Sequence, residues 1–198
     1  TESWGTRALA LSDKSGDMRL KALTLSNYAF HKMNSGSLEQ AAIAIDSCRR
    51  FSQSSDATPV AVLSIKWGEA MYLTYTADNE HCMKVVRSGL ELSASTGAFI
   101  MDFLLLGQGA LSALDAGDFK NADRLVGRMT YLSGSNPLTG KGYYRFLLAY
   151  NALLRKDFKQ AAAHVDMALK QAEVTGFPLA ESFCHIEYAQ VLHELKER

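Results

Sequence analysis

Net charge is what this chain most plainly lacks: 21 Lys and Arg are balanced by 21 Asp and Glu across 198 residues. Without a positive field to attract a polyanion, DNA binding by this segment alone is disfavoured, and so is adsorption to an anionic membrane. Long apolar runs are missing too. The most apolar stretch, from Phe99 to Leu106, is broken by Asp102. No segment has the pattern of a membrane span or a signal peptide, and the expected location is cytoplasmic. Cysteine is scarce: Cys48, Cys82 and Cys184 lie far apart, none at metal-ligand spacing, and three cannot pair fully. They read as packing residues in a reducing compartment. The sequence has no Walker loop, no Gly-x-Ser-x-Gly elbow and no His-Glu-x-x-His. Glu181, His185 and His193 share a helix face, but residues eight apart on a helix stand about 12 Å apart, too far for one ion. No catalysis, cofactor or metal is expected.

What the sequence does have is rhythm. Ala29, Ala70, Ala110, Ala149 and Ala189 follow one another at intervals of 41, 40, 39 and 40 residues. Twelve residues after each of the first four stands another small residue: Ala41, Cys82, Ala122 and Ala161. A period near 40 with small residues at fixed phase describes stacked helix pairs, each burying its apolar face against its neighbours. First helices are predicted over Met18 to Ser35, Val60 to Thr76, Ala98 to Ala116, Thr139 to Arg155 and Leu179 to Lys196. The second helices carry an aliphatic column, Ile45, Val86, Val126 and Val165, followed three residues later by Cys48, Gly89, Met129 and Ala168. Spacings of three and four put both columns on one face.

The punctuation is in phase with the columns. Gly36 and Gly117 suit the left-handed residue that closes a helix, and Ser37, Asp78, Asp118 and Asp157 suit the cap of the next. Leu38, Phe119 and Phe158 follow and should tuck beneath the turn. Pro59, Pro137 and Pro178 all fall between a second helix and the next first helix, where a missing N–H costs nothing. The start, Ala8-Leu9-Ala10-Leu11-Ser12 with Gly16, resembles Gly89-Leu90-Glu91-Leu92-Ser93 with Gly97, so the chain is expected to open on a second helix. The 198 residues, 47% hydrophobic, are expected to form one superhelical domain cut from a longer array. Its repeats would span about 18–57, 58–97, 98–137 and 138–177, with a terminal helix at 178–197. That last helix should expose Ile186, Val191 and Leu195, inviting fraying or homodimerisation.

These columns resemble the tetratricopeptide repeat. Ala149, Asp157, Phe158, Ala161, Val165 and Ala168 follow its pattern closely, and Ala110, Gly117, Asp118, Phe119, Ala122 and Val126 nearly as well. The period exceeds the family's usual 34 residues, and the early aromatic position is weak. The longer helices look like the sensor repeats of the large ATP-dependent LuxR-type transcriptional regulators, including the maltose-regulon activator MalT. The resemblance implies an all-α, right-handed solenoid of antiparallel helix pairs. It also implies a non-catalytic segment of a bacterial regulator that binds an inducer or a protein, with DNA binding left to a separate domain. The alternative is a constitutive scaffold presenting a groove to a peptide or protein.

In such a superhelix the first helices line the concave face. The ligand-facing candidates there are Asn27, Trp67, Gln108, Tyr143, Arg145, Tyr150 and Glu187. Aromatic faces with convergent amides and a carboxylate suit a sugar, a nucleoside or a peptide, although an aromatic at helical spacing is more often core. The polar members carry more information, because a polar side chain turned inward must be solvated, paired or bound. Arg145, beside Tyr143 and Tyr144, could stack and clamp an anion, or it could snorkel to solvent.

Overall fold

The computed structural model describes residues 2–54, 57–133, 140–175 and 178–196. Among these there are ten α-helices and no strand: α1 (Glu2–Ser15), α2 (Met18–Asn34), α3 (Leu38–Ser52), α4 (Pro59–Tyr75), α5 (Asn79–Thr96), α6 (Asp102–Asp115), α7 (Phe119–Ser133), α8 (Gly140–Leu154), α9 (Phe158–Thr175) and α10 (Pro178–Lys196). The chain divides into two compact units, Thr1–Gln108 and Gly109–Arg198.

In the first unit α2 packs on α1, α3 and α4, and α4 packs on α3 and α5. In the second, α8 packs on α7, α9 and α10, and α9 packs on α10. Among the described residues, second helices do not pack on one another: α3 makes no contact with α5, nor α7 with α9. Within each unit a first helix touches its own partner and the next first helix, α2 with α3 and α4 and α8 with α9 and α10, the arrangement of a helical repeat in which contacts stay between neighbours.

The small-residue columns mark where paired helices cross. Ala29 and Ala41, Ala70 and Cys82, Ala110 and Ala122, and Ala149 and Ala161 are all 0% exposed. The Cys82 thiol reaches the carbonyl oxygen of Ala70 at 3.4 Å, so side chain meets opposing backbone with nothing between. Ile45, Val86, Val126 and Val165 are buried beside these crossings, as are Cys48, Met129 and Ala168. Gly89 holds the remaining place in that column because a Cβ there would stand 2.9 Å from Cδ1 of Leu105, itself fully enclosed. Ala189 keeps the phase but is exposed, since no second helix lies across α10 among the described residues.

Each helix pair turns in the same way. Gly36, Ala77, Gly117 and Lys156 all have positive φ, between 57° and 77°. The next residue's N–H reaches back to a carbonyl five positions earlier: Ser37 to Lys32 at 2.8 Å, Asp78 to Leu73 at 2.9 Å, Asp118 to Ala113 at 2.8 Å and Asp157 to Ala152 at 2.9 Å. These are Schellman closures, which satisfy carbonyls the helix end leaves open. Asp78, Asp118 and Asp157 then accept the N–H of His81, Asn121 and Gln160 through their side chains. Ser37 does not: its hydroxyl makes no capping bond to α3, and the short serine leaves this cap to backbone alone. Phe158 is buried under its turn, Phe119 is half-buried, and the shorter Leu38 stays 37% exposed.

Other expectations need revision. The α-helix expected from Ala98 begins at Asp102, after a 3₁₀ turn over Phe99–Met101. Gly97, at φ 74°, closes α5 and leaves only Ala98 before the chain must turn; Phe99 and Ile100 gain no anchorage there, at 58% and 72% exposed. Val191, expected at the surface, is 0% exposed and packs with Ala152 and Ala161, whereas Ile186 and Leu195 are exposed as anticipated. Pro59 opens α4 behind Thr58, whose hydroxyl caps Ala61, and Pro178 opens α10. Pro137, Thr139 and Gly176 lie outside the described residues. All three cysteines are buried. No helix among the described residues is long and apolar enough to cross a membrane.

Candidate functional site

Glycine 140 opens α8 and is followed by an aromatic run, Tyr143, Tyr144, Phe146 and Tyr150. Tyr143, Phe146 and Tyr150 sit three and four apart and therefore share a face. Their rings form a ladder: Tyr143 to Phe146 and Phe146 to Tyr150 each span 6.4 Å between centroids, with planes 13° apart. Phe183 of α10 extends it, tilted by 44° against Phe146 at 6.4 Å. At one end of the ladder the Tyr150 hydroxyl donates to Oδ1 of Asp115 at 2.9 Å. Burial, that bond and the negative fields of Asp115 and Glu187 together push the Tyr150 phenol up to about 12.

Glu187 lies one helical turn beyond Phe183 on α10. Two residues before each column alanine stand Asn27, Gly68, Gln108, Leu147 and Glu187. Leu147 is 0% exposed and Glu187 only 3%, so a carboxylic acid occupies the place where the preceding helix pair buries a leucine. Neither Glu187 oxygen has a hydrogen-bond partner. Burial alone pushes its carboxyl up to about 8, because an isolated carboxylate in an apolar setting is strongly disfavoured. The neighbouring Cys184 thiol is pushed up to about 11, by burial first and then by the Glu187 charge, which makes it an inert packing group.

The sequence-derived candidates meet different fates. Asn27 is exposed and its amide donates to its own helix, to the Leu23 carbonyl at 2.8 Å. Gln108 is buried and accepts from the Thr74 hydroxyl at 3.3 Å. Trp67 is half-buried against Met33, Ala41 and Met71, with Phe30 tilted beside it at 6.4 Å; its indole N–H is buried without an acceptor. These three belong to the first unit. In the second, Tyr143, Tyr150 and Glu187 gather around the ladder, while Arg145 leaves it. Arg145 lies over Tyr144 at 6.0 Å and meets Nδ1 of His164 on α9 at 3.4 Å. Burial, then the Arg145 charge, lowers the His164 pKa.

Asp115 completes the cluster without having been singled out as a ligand residue. Asp115 ends α6, 35 residues from the tyrosine it binds, and no local pattern distinguishes it from a helix-terminal acid. The arrangement offers two carboxyl groups, one buried and unpartnered, beside stacked ring faces. It has no paired nucleophile and base, and no group of three or more His, Cys, Asp or Glu among the described residues could hold a metal. No family model matches this chain, and neither does any curated protein.

Proposed function

We propose that this chain is a non-catalytic binding segment, a tetratricopeptide-like solenoid whose first helices present a ligand face centred on α8 and α10. The observation that carries the reading is Glu187. Of the three polar side chains expected to face inward, Asn27 is solvated and Gln108 is paired. Glu187 is neither, so it is the polar group of this stripe that a ligand would satisfy. The Tyr143, Phe146 and Tyr150 ladder beside it supplies large, flat, partly accessible surfaces at little entropic cost. Within that reading, the segment acts as the sensor of a LuxR-type bacterial regulator, where a ligand works by favouring one conformation of the parent assembly over another.

Two experiments test this. A thermal-shift screen of small metabolites should yield compounds that raise Tm for the native chain and not for Phe146→Ala or Tyr143→Ala. A screen whose stabilisers act equally on both variants would place binding elsewhere. Reading the parent gene on both sides of Thr1 and Arg198 tests the regulator context: a nucleotide-binding module upstream and a helix-turn-helix downstream support it, and further repeats with neither favour a scaffold for a protein partner.

A further inference from the structure

Building on that reading, we propose that the α8–α10 site takes an organic cation, an ammonium or guanidinium group, which ion-pairs with Glu187 and rests against the Phe146 and Tyr150 rings. Glu187 is 97% removed from solvent by its 3% exposure, yet neither oxygen receives a hydrogen bond. The groups facing it from each neighbouring element offer no positive charge. From α8 comes Tyr150, whose hydroxyl is already committed to Asp115. From its own helix comes the Cys184 thiol, which feels the Glu187 charge, and among the described residues no cation acts on the acid itself. Arg145, a cation on α8, is turned to His164 instead.

The chemistry of the surroundings selects the sign of the missing partner. Aromatic faces carry negative potential and attract cations, and Asp115 adds a second negative charge beside Tyr150. An anion would meet two carboxyl groups and several π faces, all unfavourable. A neutral hydroxyl could satisfy an oxygen but would gain no charge attraction to the rings. Phe183, one turn before Glu187 on α10, is 42% exposed, so the ladder reaches solvent there.

Ion pairing requires Glu187 to be ionised, so a ligand bound near pH 7 must displace its proton. Isothermal titration calorimetry in buffers of different ionisation enthalpy reads that proton directly. The probes are 1,4-diaminobutane, a free diamine, and N-acetyl-arginine amide, a peptide-borne guanidinium, with 1,4-butanediol as the neutral control. One of the cations should bind with release of close to one proton at pH 7, and its affinity should climb roughly tenfold per pH unit up to about pH 8. Glu187→Gln, which keeps the shape and removes a buried acid, should lower that affinity at least tenfold and abolish the proton release. Phe146→Leu should weaken binding several-fold and leave the proton release intact. Equal binding of butanediol, or cation binding unaffected by Glu187→Gln, overturns the inference. If no cation binds while a neutral compound stabilises the chain through Phe146, the cation inference falls and the binding reading stands. If nothing binds through Phe146, both fall.

Discussion

The hydroxyl of Tyr150, in the middle of α8, donates to the carboxylate of Asp115, at the end of α6, across 2.9 Å. This bond fixes one end of the aromatic ladder and exposes the tyrosine to the charge of two acids, one accepting its hydrogen bond and one buried without a partner. Asp115→Asn should therefore bring the Tyr150 phenol down from about 12 towards ordinary tyrosine values, as read by ultraviolet titration. Tyr150→Phe should cost about 0.5–1.5 kcal/mol, the usual net value of one such hydrogen bond, by urea denaturation.

Glu187 should make folding stability depend on pH in a particular direction. Its carboxyl is raised to about 8 in the folded chain from about 4.5 in the unfolded one, so between those values the folded state holds the extra proton. Stability then falls as pH rises from about 4.5 to 8 and levels off above, where both states are ionised. The span is roughly 3–5 kcal/mol at about 1.4 kcal/mol per pKa unit. Glu187→Gln should remove this slope, so that the variant is more stable than the native chain at pH 8 and close to it at pH 4.5. Parallel denaturant midpoints for the two proteins across the range would contradict the burial of this acid.

The crossing columns give a contrast within one residue type. Ala149→Leu adds bulk at a fully buried crossing and should destabilise by about 1–3 kcal/mol. Ala189→Leu, at the same phase of the repeat but exposed, should change stability by less than about 0.5 kcal/mol. Chemical denaturation of the two variants side by side checks this.

Two turns hold residues poorly suited to their backbone. Ala77 at φ 57° and Lys156 at φ 63° occupy the left-handed place that Gly36 and Gly117 fill in the other units. Ala77→Gly and Lys156→Gly should each stabilise by about 0.5–1 kcal/mol, and Gly117→Ala should destabilise by about 1 kcal/mol, because an L side chain there crowds the following carbonyl. The caps grade similarly. Asp157→Ala removes a side-chain acceptor from α9 and should cost about 1 kcal/mol, whereas Ser37→Ala, which removes no capping bond, should be nearly neutral.

Much of this was legible in the sequence because it is periodic. The alanine columns, the aliphatic column and the turns are each set by contacts within one helix pair, and such contacts recur every 40 residues or so. Where a residue departs from the repeat, the pattern loses its authority. Val191 shares a helix with exposed Ile186 and Leu195 but is drawn inward by Ala152 and Ala161 of the preceding pair. The late start of α6 depends on how Gly97 ends α5, not on the apolar pattern that follows. At the site, spacing pointed to Tyr143, Tyr150 and Glu187 because they share a register on first helices. Asp115 was silent because its role depends on a partner 35 residues away. Arg145 stacks on Tyr144 as its neighbourhood suggested, but i+2 from Tyr143 is a different helix face, and its other partner there is His164.

The most direct test of the proposed binding site is an aromatic-region NMR titration with a compound that raises Tm in the thermal-shift screen. The ring resonances of Tyr143, Phe146, Tyr150 and Phe183 should shift together and saturate at one affinity, while Tyr28 and Tyr72 on α2 and α4 stay still. Perturbations confined to α2 and α4, or an α8–α10 ladder that does not respond to any stabilising compound, would contradict the assignment of the ligand face.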